Sequence, residues 1–282
     1  MLNLLDRDAK SFMISDEELK DVLAAVHAKY GYDFMNYAGA SIKRRTVHFM
    51  EKHQLESVVT LKRMLLQNEQ DFELFVQNLT INVTEMFRDP NFYKSLRENV
   101  LKRLGTYSAI KIWVAGCSTG EEVYSLAIML KEEGLLSRSV IFATDINQRV
   151  LQKAKDGVFS VSNMQSYTSN YMKAGGNASF SDYYMANHGF AMLDRSLKQN
   201  IVFSVHNLVT DKSFNEFQLV LCRNVMIYFN QILQNRVFHL FKESLCPFGF
   251  LGLGNKETLH FSEVRNDFRE VDQREKIYTK IA

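Results

Sequence analysis

The chain has 282 residues, 46% of them hydrophobic, and its 34 Lys and Arg against 32 Asp and Glu leave a net charge of +2. That length suits one large core or two domains, and so even a balance excludes nucleic acid or an anionic membrane as the main partner. Three widely spaced cysteines, Cys117, Cys222 and Cys246, form no Cys-x-x-Cys pair and read as buried thiols of a reducing compartment.

The residues from Met1 to Asp8 carry no signal-peptide pattern, and no apolar run approaches the ~18 residues of a membrane span. A cytoplasmic protein with no direct membrane insertion is expected. Ser15-Asp-Glu-Glu18 is a capping box, followed by Leu19, Val22, Leu23 and Val26 at helical spacing and by a terminating Gly31. Further helices are predicted over about 41–53, 58–66 and 71–79. Asp89-Pro90 predicts one more, with Asp as cap, Pro in the first turn, and Phe92, Leu96, Val100 and Leu104 as its apolar face.

From Ile110 the pattern becomes α/β. Strands are predicted at 110–115, 140–144, 201–205, 217–221 and 250–253, separated by helices at 121–133, 148–155 and 231–245. A closing antiparallel hairpin is expected at 268–271 and 277–281. Short apolar strands alternating with amphipathic helices imply a doubly wound sheet covered on both faces. Residues 158–200 break the rhythm: they are rich in Ser, Asn, Tyr and Gly, with no helical apolar stripe. A loop of that length is improbable in a compact domain, so a small antiparallel β insertion is expected there.

Ile112-Trp-Val-Ala-Gly-Cys-Ser-Thr-Gly-Glu-Glu-Val-Tyr124 is a strand running into a glycine turn and a helix that opens with two acids. The turn, Gly116 above all, lets backbone approach a ligand closely. Glu121 and Glu122 would repel a pyrophosphate at the helix N-terminus. The pocket therefore suits an adenosine compound without phosphates, such as S-adenosylmethionine. Asp145, ending the next strand, is placed for ribose hydroxyls. His206-Asn207-Leu208 and Cys222-Arg223-Asn224 follow two later strands, and the amides of Asn207 and Asn224 could serve an adenine edge or a cofactor tail. Singly, each has a plainer reading: a tight turn, a helix cap, or, for Tyr124 and Tyr228, a boundary aromatic with a wet hydroxyl. The seven histidines show no zinc spacing, so no metal is expected. Gly116-Cys-Ser118-Thr-Gly120 matches a nucleophile-elbow pattern, but the following acids would oppose an oxyanion.

Together these segments resemble the chemotaxis receptor methyltransferases, the CheR family of protein-glutamate O-methyltransferases. The resemblance is carried by Asn82-Val-Thr-Glu-Met-Phe-Arg-Asp-Pro90, Trp113-Val-Ala-Gly-Cys-Ser-Thr-Gly-Glu-Glu-Val-Tyr-Ser-Leu126 and Ala143-Thr-Asp-Ile146. It continues through His206-Asn-Leu208, Cys222-Arg-Asn-Val-Met-Ile-Tyr-Phe229 and Leu251-Gly-Leu-Gly254. It implies a helical N-terminal domain over 1–88 and a Rossmann-like S-adenosylmethionine-dependent methyltransferase domain over 89–282, with the β insertion at about 158–200. Matching residue for residue, it implies cofactor contacts from Asn82, Thr84, Arg88, Glu122, Asp145, Asn207, Leu208, Arg223 and Asn224. Arg88 and Tyr228 are implied beside the reacting methyl group. The chain departs from the family pattern at Met86-Phe87, where two aromatics are usual, at Gln218 for an acid, and at Lys256 for a serine.

The implied reaction is methyl transfer from S-adenosylmethionine to a receptor glutamate. With a pKa near ~4.3 that carboxylate is already ionised at neutral pH and needs no general base. The implied partner is the cytoplasmic helical bundle of methyl-accepting receptors. Arg44, His48 and Lys52 recur every four residues opposite Ile42, Thr46, Phe49 and Met50, and would face that acidic bundle. A non-catalytic adaptor keeping the fold is the alternative from another class, and a dinucleotide oxidoreductase is a second enzyme reading. Intact Thr84, Arg88, Asp145, Asn224 and Tyr228 argue against the first. The missing strict Gly-x-Gly-x-x-Gly argues against the second.

Overall fold

The computed structural model describes residues 14–80 and 84–282, and the chain divides between Ile81 and Asn82 into two units. In the first, helix α1 (Asp16–Tyr30) begins as its sequence predicts. Ser15 Oγ accepts the Glu18 N–H at 3.1 Å, while the Glu18 carboxylate accepts the Ser15 N–H at 2.8 Å. Gly31 ends the helix in the left-handed region, at φ 76°. Helices α2 (Gly39–Lys52), α3 (Val58–Gln67) and α4 (Glu69–Leu79) follow. Their apolar faces, with Leu19, Val22, Leu23 and Val26 of α1, form one core in which Tyr30 stacks on Phe72 at 3.9 Å between ring centroids.

The second unit opens with α5 (Pro90–Leu96), which runs through a π-helical stretch, Arg97–Leu101, into α6 (Lys102–Leu104). Phe92, Leu96, Val100 and Leu104 are all buried, as predicted. Asp89, however, does not cap. Its backbone is left-handed at φ 58°, and its side chain makes no cap hydrogen bond.

Then come β1 (Ile110–Ala115), α7 (Glu121–Glu132), β2 (Ser139–Asp145), α8 (Gln148–Asp156), β3 (Val158–Ser160), α9 (Met164–Lys173), β4 (Tyr184–Asn187) and β5 (Phe190–Leu193). The chain closes with α10 (Arg195–Lys198), β6 (Ile201–Val205), β7 (Phe217–Cys222), α11 (Gln231–Ser244), β8 (Leu245–Leu253), β9 (Phe268–Asp272) and β10 (Ile277–Lys280). The main sheet has the order β6-β2-β1-β7-β8-β10-β9. Its first five strands are parallel, and the expected antiparallel hairpin closes it. Strand order reverses between β1 and β7, which opens a crevice at their carboxyl ends. One face of the sheet packs on α5–α7; the other carries edge-to-face aromatics, with Phe214 and Phe241 against Trp113.

Residues 158–200 do form a small antiparallel sheet, β3-β5-β4. The expectation of no helical stripe there is corrected: Met164, Tyr167 and Tyr171 line the buried side of α9. Tyrosine hides such a stripe in a hydropathy reading, because each ring is buried while its hydroxyl still finds a partner. The insertion is anchored on Glu132, a buried carboxylate at the end of α7. It accepts from the Tyr171 and Tyr183 hydroxyls, the Asn177 N–H and Arg97. Glu132→Gln keeps one acceptor oxygen and loses the charge. It is expected to cost about 1–2 kcal/mol in urea unfolding and to speed proteolysis within 174–190.

Candidate active site

Four loops meet at the crevice. After β1, Gly116 (φ 74°) and Gly120 (φ 94°) turn the chain into α7. A Cβ at Gly116 would lie 2.4 Å from a Val225 methyl, so this turn and the one after β7 fit only with glycine there. After β2, the buried Asp145 carboxylate spans two segments. One oxygen accepts the Ser118 N–H and the other the Asn147 N–H, both at 2.9 Å. Burial raises its pKa, opposed by those amide donors.

Glu122 and Arg223 pair at 2.9 Å, and Arg223 also pairs with Asp89 at 2.8 Å and donates to the Arg88 carbonyl at 3.2 Å. Its guanidinium lies 4.0 Å from the Phe92 ring centroid. One buried side chain thus binds together the segment before α5, the start of α7 and the loop after β7. This is why Asp89 does not cap: its carboxylate serves Arg223. Burial raises the Glu122 pKa, countered by Arg223. The pair compensates Glu122, so Glu121, which accepts from the Thr119 hydroxyl at 2.6 Å, is the uncompensated acid of that helix start among the described residues. Burial raises its pKa too.

After β6, Asn207 Oδ1 accepts the Val209 N–H at 2.9 Å and so folds its own turn; Leu208 beside it is buried. His206 is a core residue, edge-on to Trp113 at 5.1 Å with Nε2 3.2 Å from the Lys212 carbonyl. After β7, Asn224 is left-handed at φ 61°, and the Tyr228 N–H donates to the Val225 carbonyl at 3.2 Å. Thr84 and Arg88 are half-buried ahead of α5, whereas Asn82 lies outside the described residues. Tyr124 is no boundary aromatic; it is buried, and its hydroxyl donates to the Ala154 carbonyl at 2.7 Å. Cys117 and Cys222 are buried thiols with pKa values pushed up by burial.

This donor set fits a cationic adenosine cofactor. Asp145 is a buried carboxylate with no cation partner among the described residues, and Glu122 keeps Oε1 beyond the Oε2 that pairs with Arg223. Buried Ser118 Oγ and Asn147 Nδ2 have no partner among the described residues and could serve a ligand. Among the described residues no base contacts Ser118 Oγ, as a nucleophile elbow would need. Residues 82–277 match the CheR methyltransferase SAM binding domain, and residues 17–80 match the CheR methyltransferase all-alpha domain.

The chain belongs to the CheR methyltransferase family. It is similar to the Cher3 protein of Pseudomonas putida, with 48% identity over 94% of this chain and 97% of that one. It is also similar to the chemotaxis protein methyltransferases of Salmonella typhimurium (29% identity, 90% of this chain and 88% of that) and Escherichia coli (26%, 95% and 93%). The matched CheR domain binds S-adenosylmethionine, and the protein is an S-adenosylmethionine-dependent methyltransferase.

The departures from the CheR pattern have local roles. Met86 is buried and its carbonyl accepts from Asn170 of α9; Phe87 N–H donates to Ser125 Oγ of α7. Gln218 accepts the Lys111 N–H at 2.7 Å, a bond an acid could equally make. Lys256 is exposed, but its neighbour is not. Glu257 is buried, and its carboxylate accepts four backbone N–H groups at the end of β8 and after β7. Sequence reading did not single out Glu257. Its signal was its place three residues after Gly254, at the end of the Gly-x-Ser-Glu segment in which Lys256 departs from the family pattern.

Proposed function

We propose that the protein transfers a methyl group from S-adenosylmethionine to glutamate side chains of chemotaxis receptors, giving glutamyl methyl esters in sensory adaptation. The observation that carries this is the Arg223 junction, which ties Glu122, Asp89 and the backbone carbonyl of Arg88 to the loop after β7. The cofactor, when bound, supplies an electrophilic methyl group on a sulfonium. Glu122, Asp145, Thr84, Asn207, Leu208 and Asn224 hold it, with Gly116 giving room for close approach and Arg223 setting the frame. Arg88 pairs with the incoming carboxylate, and Tyr228 orients its attacking oxygen. No residue needs to take a proton, because the attacking glutamate is ionised at neutral pH. Charge is cancelled in the reaction, which favours a pocket from which water is excluded.

Carboxyl groups held above their ordinary range by burial imply an acid limit. Asp145 and Glu122 must be ionised to serve as full acceptors for the ribose hydroxyls and ammonium group of the ligand. S-adenosylhomocysteine affinity is therefore expected to start falling on acidification above the ordinary values of 3.8 and 4.5 for these groups. Calorimetry from pH 7.5 down to 5 checks this; a flat profile contradicts it.

The receptor-facing element is α2, whose Arg44, His48 and Lys52 are all exposed. Its other two cations are used in packing: Lys43 pairs with Asp16 at 2.7 Å, and Arg45 donates to the last carbonyl of α4. The partner is the cytoplasmic helical bundle of the receptors, which places the enzyme in the cytoplasm. Arg44→Gln with Lys52→Gln is expected to slow receptor methylation at low salt about tenfold, leaving S-adenosylhomocysteine affinity within twofold. The function itself is tested with receptor-containing membranes and methyl-labelled cofactor. Base-labile methyl esters on receptor glutamates are expected, and label incorporated only into other proteins or small molecules would refute the assignment.

A further inference from the structure

We infer that Glu257 is a positioning residue of the cofactor site, holding the turn after β7 in the one backbone conformation that sets Asn224 in place. The inference deepens the proposed function and rests on its reading of Asn224 as a cofactor contact.

Glu257 lies on the loop after β8. Its own N–H donates to the Gly254 carbonyl at 2.9 Å, a tight turn that brings its side chain back over the strand end. One carboxylate oxygen accepts the Gly254 N–H at 2.6 Å and the Asn224 N–H at 2.9 Å. The other accepts the N–H groups of Val225 at 2.9 Å and Met226 at 2.7 Å. Three consecutive amides can converge on one anion only if the backbone bends as it does here, with Asn224 left-handed at φ 61°. Asparagine tolerates that conformation better than other residues with a Cβ, and the three amides gathered on one carboxylate hold it there.

The charge has no cation partner among the described residues, so amide dipoles alone balance it. Burial raises the Glu257 pKa, and the four amides oppose that. Space around it is closed as well. A Cβ on Gly254 would lie 2.7 Å from Glu257 Oε2, 2.8 Å from Asn224 N and 2.9 Å from Asn224 Nδ2. The strand end, the carboxylate and the Asn224 side chain therefore form one tightly packed junction on the loop that bears Arg223 and leads to Tyr228.

Two variants test this from opposite sides. Glu257→Gln keeps the shape but turns an NH2 group toward backbone donors. Gly254→Ala leaves the carboxylate and pushes the junction with one methyl group, at a backbone conformation alanine can adopt. Each is examined by calorimetry with S-adenosylhomocysteine, by amide hydrogen exchange at 224–226, and by ligand-free melting temperature. The expected result is faster exchange at Asn224, Val225 and Met226 together with at least a tenfold loss of affinity in both variants. The conservative Glu257→Asp should recover part of each.

Should Glu257→Gln fail to fold, Glu257→Asp, which shortens the reach of the carboxylate and keeps its charge, decides by the same two readouts. Unchanged exchange at 224–226 overturns Glu257 as organiser of the turn. Faster exchange or a lower melting temperature with affinity within twofold of the unsubstituted protein overturns its link to the cofactor, and the placing of Asn224 with it. Failure of the unsubstituted protein to bind S-adenosylhomocysteine would overturn the inference together with the reading beneath it.

Discussion

Asp145→Ala is expected to weaken S-adenosylhomocysteine binding by a factor of about 100 or more while the protein stays folded. The carboxylate does two things in the crevice. It would accept hydrogen bonds from the ribose of the cofactor, and it already holds the Ser118 and Asn147 amides. Alanine leaves both buried donors without their acceptor, at about 1–3 kcal/mol for each such group, and frees the left-handed turn at Ser118 (φ 49°) to relax. The effect should thus exceed that of losing one ligand contact. Calorimetric titration measures it; affinity within tenfold of the unsubstituted protein would show that Asp145 is only a turn residue.

Arg223→Met should cost about 3–5 kcal/mol of stability, since removing one member of a buried ion pair strands the charge of the other. Here two carboxylates, Glu122 and Asp89, lose their partner at once. For a unit of this size the cost corresponds to a fall in melting temperature of about 6–20 °C. The deficit should shrink on acidification. Burial already raises the Glu122 pKa above its ordinary 4.5 and would raise it further without Arg223. The folded variant then binds a proton that the unfolded chain releases. This group's stabilisation is present below the ordinary value and lost as pH rises through the folded pKa. Melting curves between pH 5 and pH 8 check the sign. A deficit independent of pH would mean that Arg223 acts through its contact with Phe92 rather than through charge.

Much of this architecture is legible before any coordinate. The capping box at Ser15–Glu18, the apolar spacing of α1 and α2, and the strand–turn–helix at Ile112–Tyr124 are local signals, and the folded protein uses each as read. The candidate site is legible in part for the same reason. Asp145 ends a strand, Gly116, Asn207 and Asn224 lie one or two residues beyond one, and strand ends can be counted. Less legible are residues whose partners lie far off in sequence. Asp89 has the local pattern of a cap, yet it serves an arginine 134 positions away. Glu132 belongs to a helix that would be complete without it, yet it anchors the insertion through Tyr171 and Tyr183. The stripe of α9 escaped because it is written in tyrosines.

Outside residues 158–200 the sequence by itself determined where most helices and strands lie, although β8 begins at Leu245 and not at the predicted Phe250, and it determined which family carries these motifs, because those properties depend on spacing within a few residues. Only the tertiary structure decided what the buried charges do. Glu122, Asp145, Arg223 and Glu257 look alike in sequence as polar residues near loops. Folded, they form an ion-pair junction, an amide-bridging carboxylate and a hub for four backbone donors. A charge leaves water only where partners converge on it, and at this crevice those partners come from strands far apart in the chain.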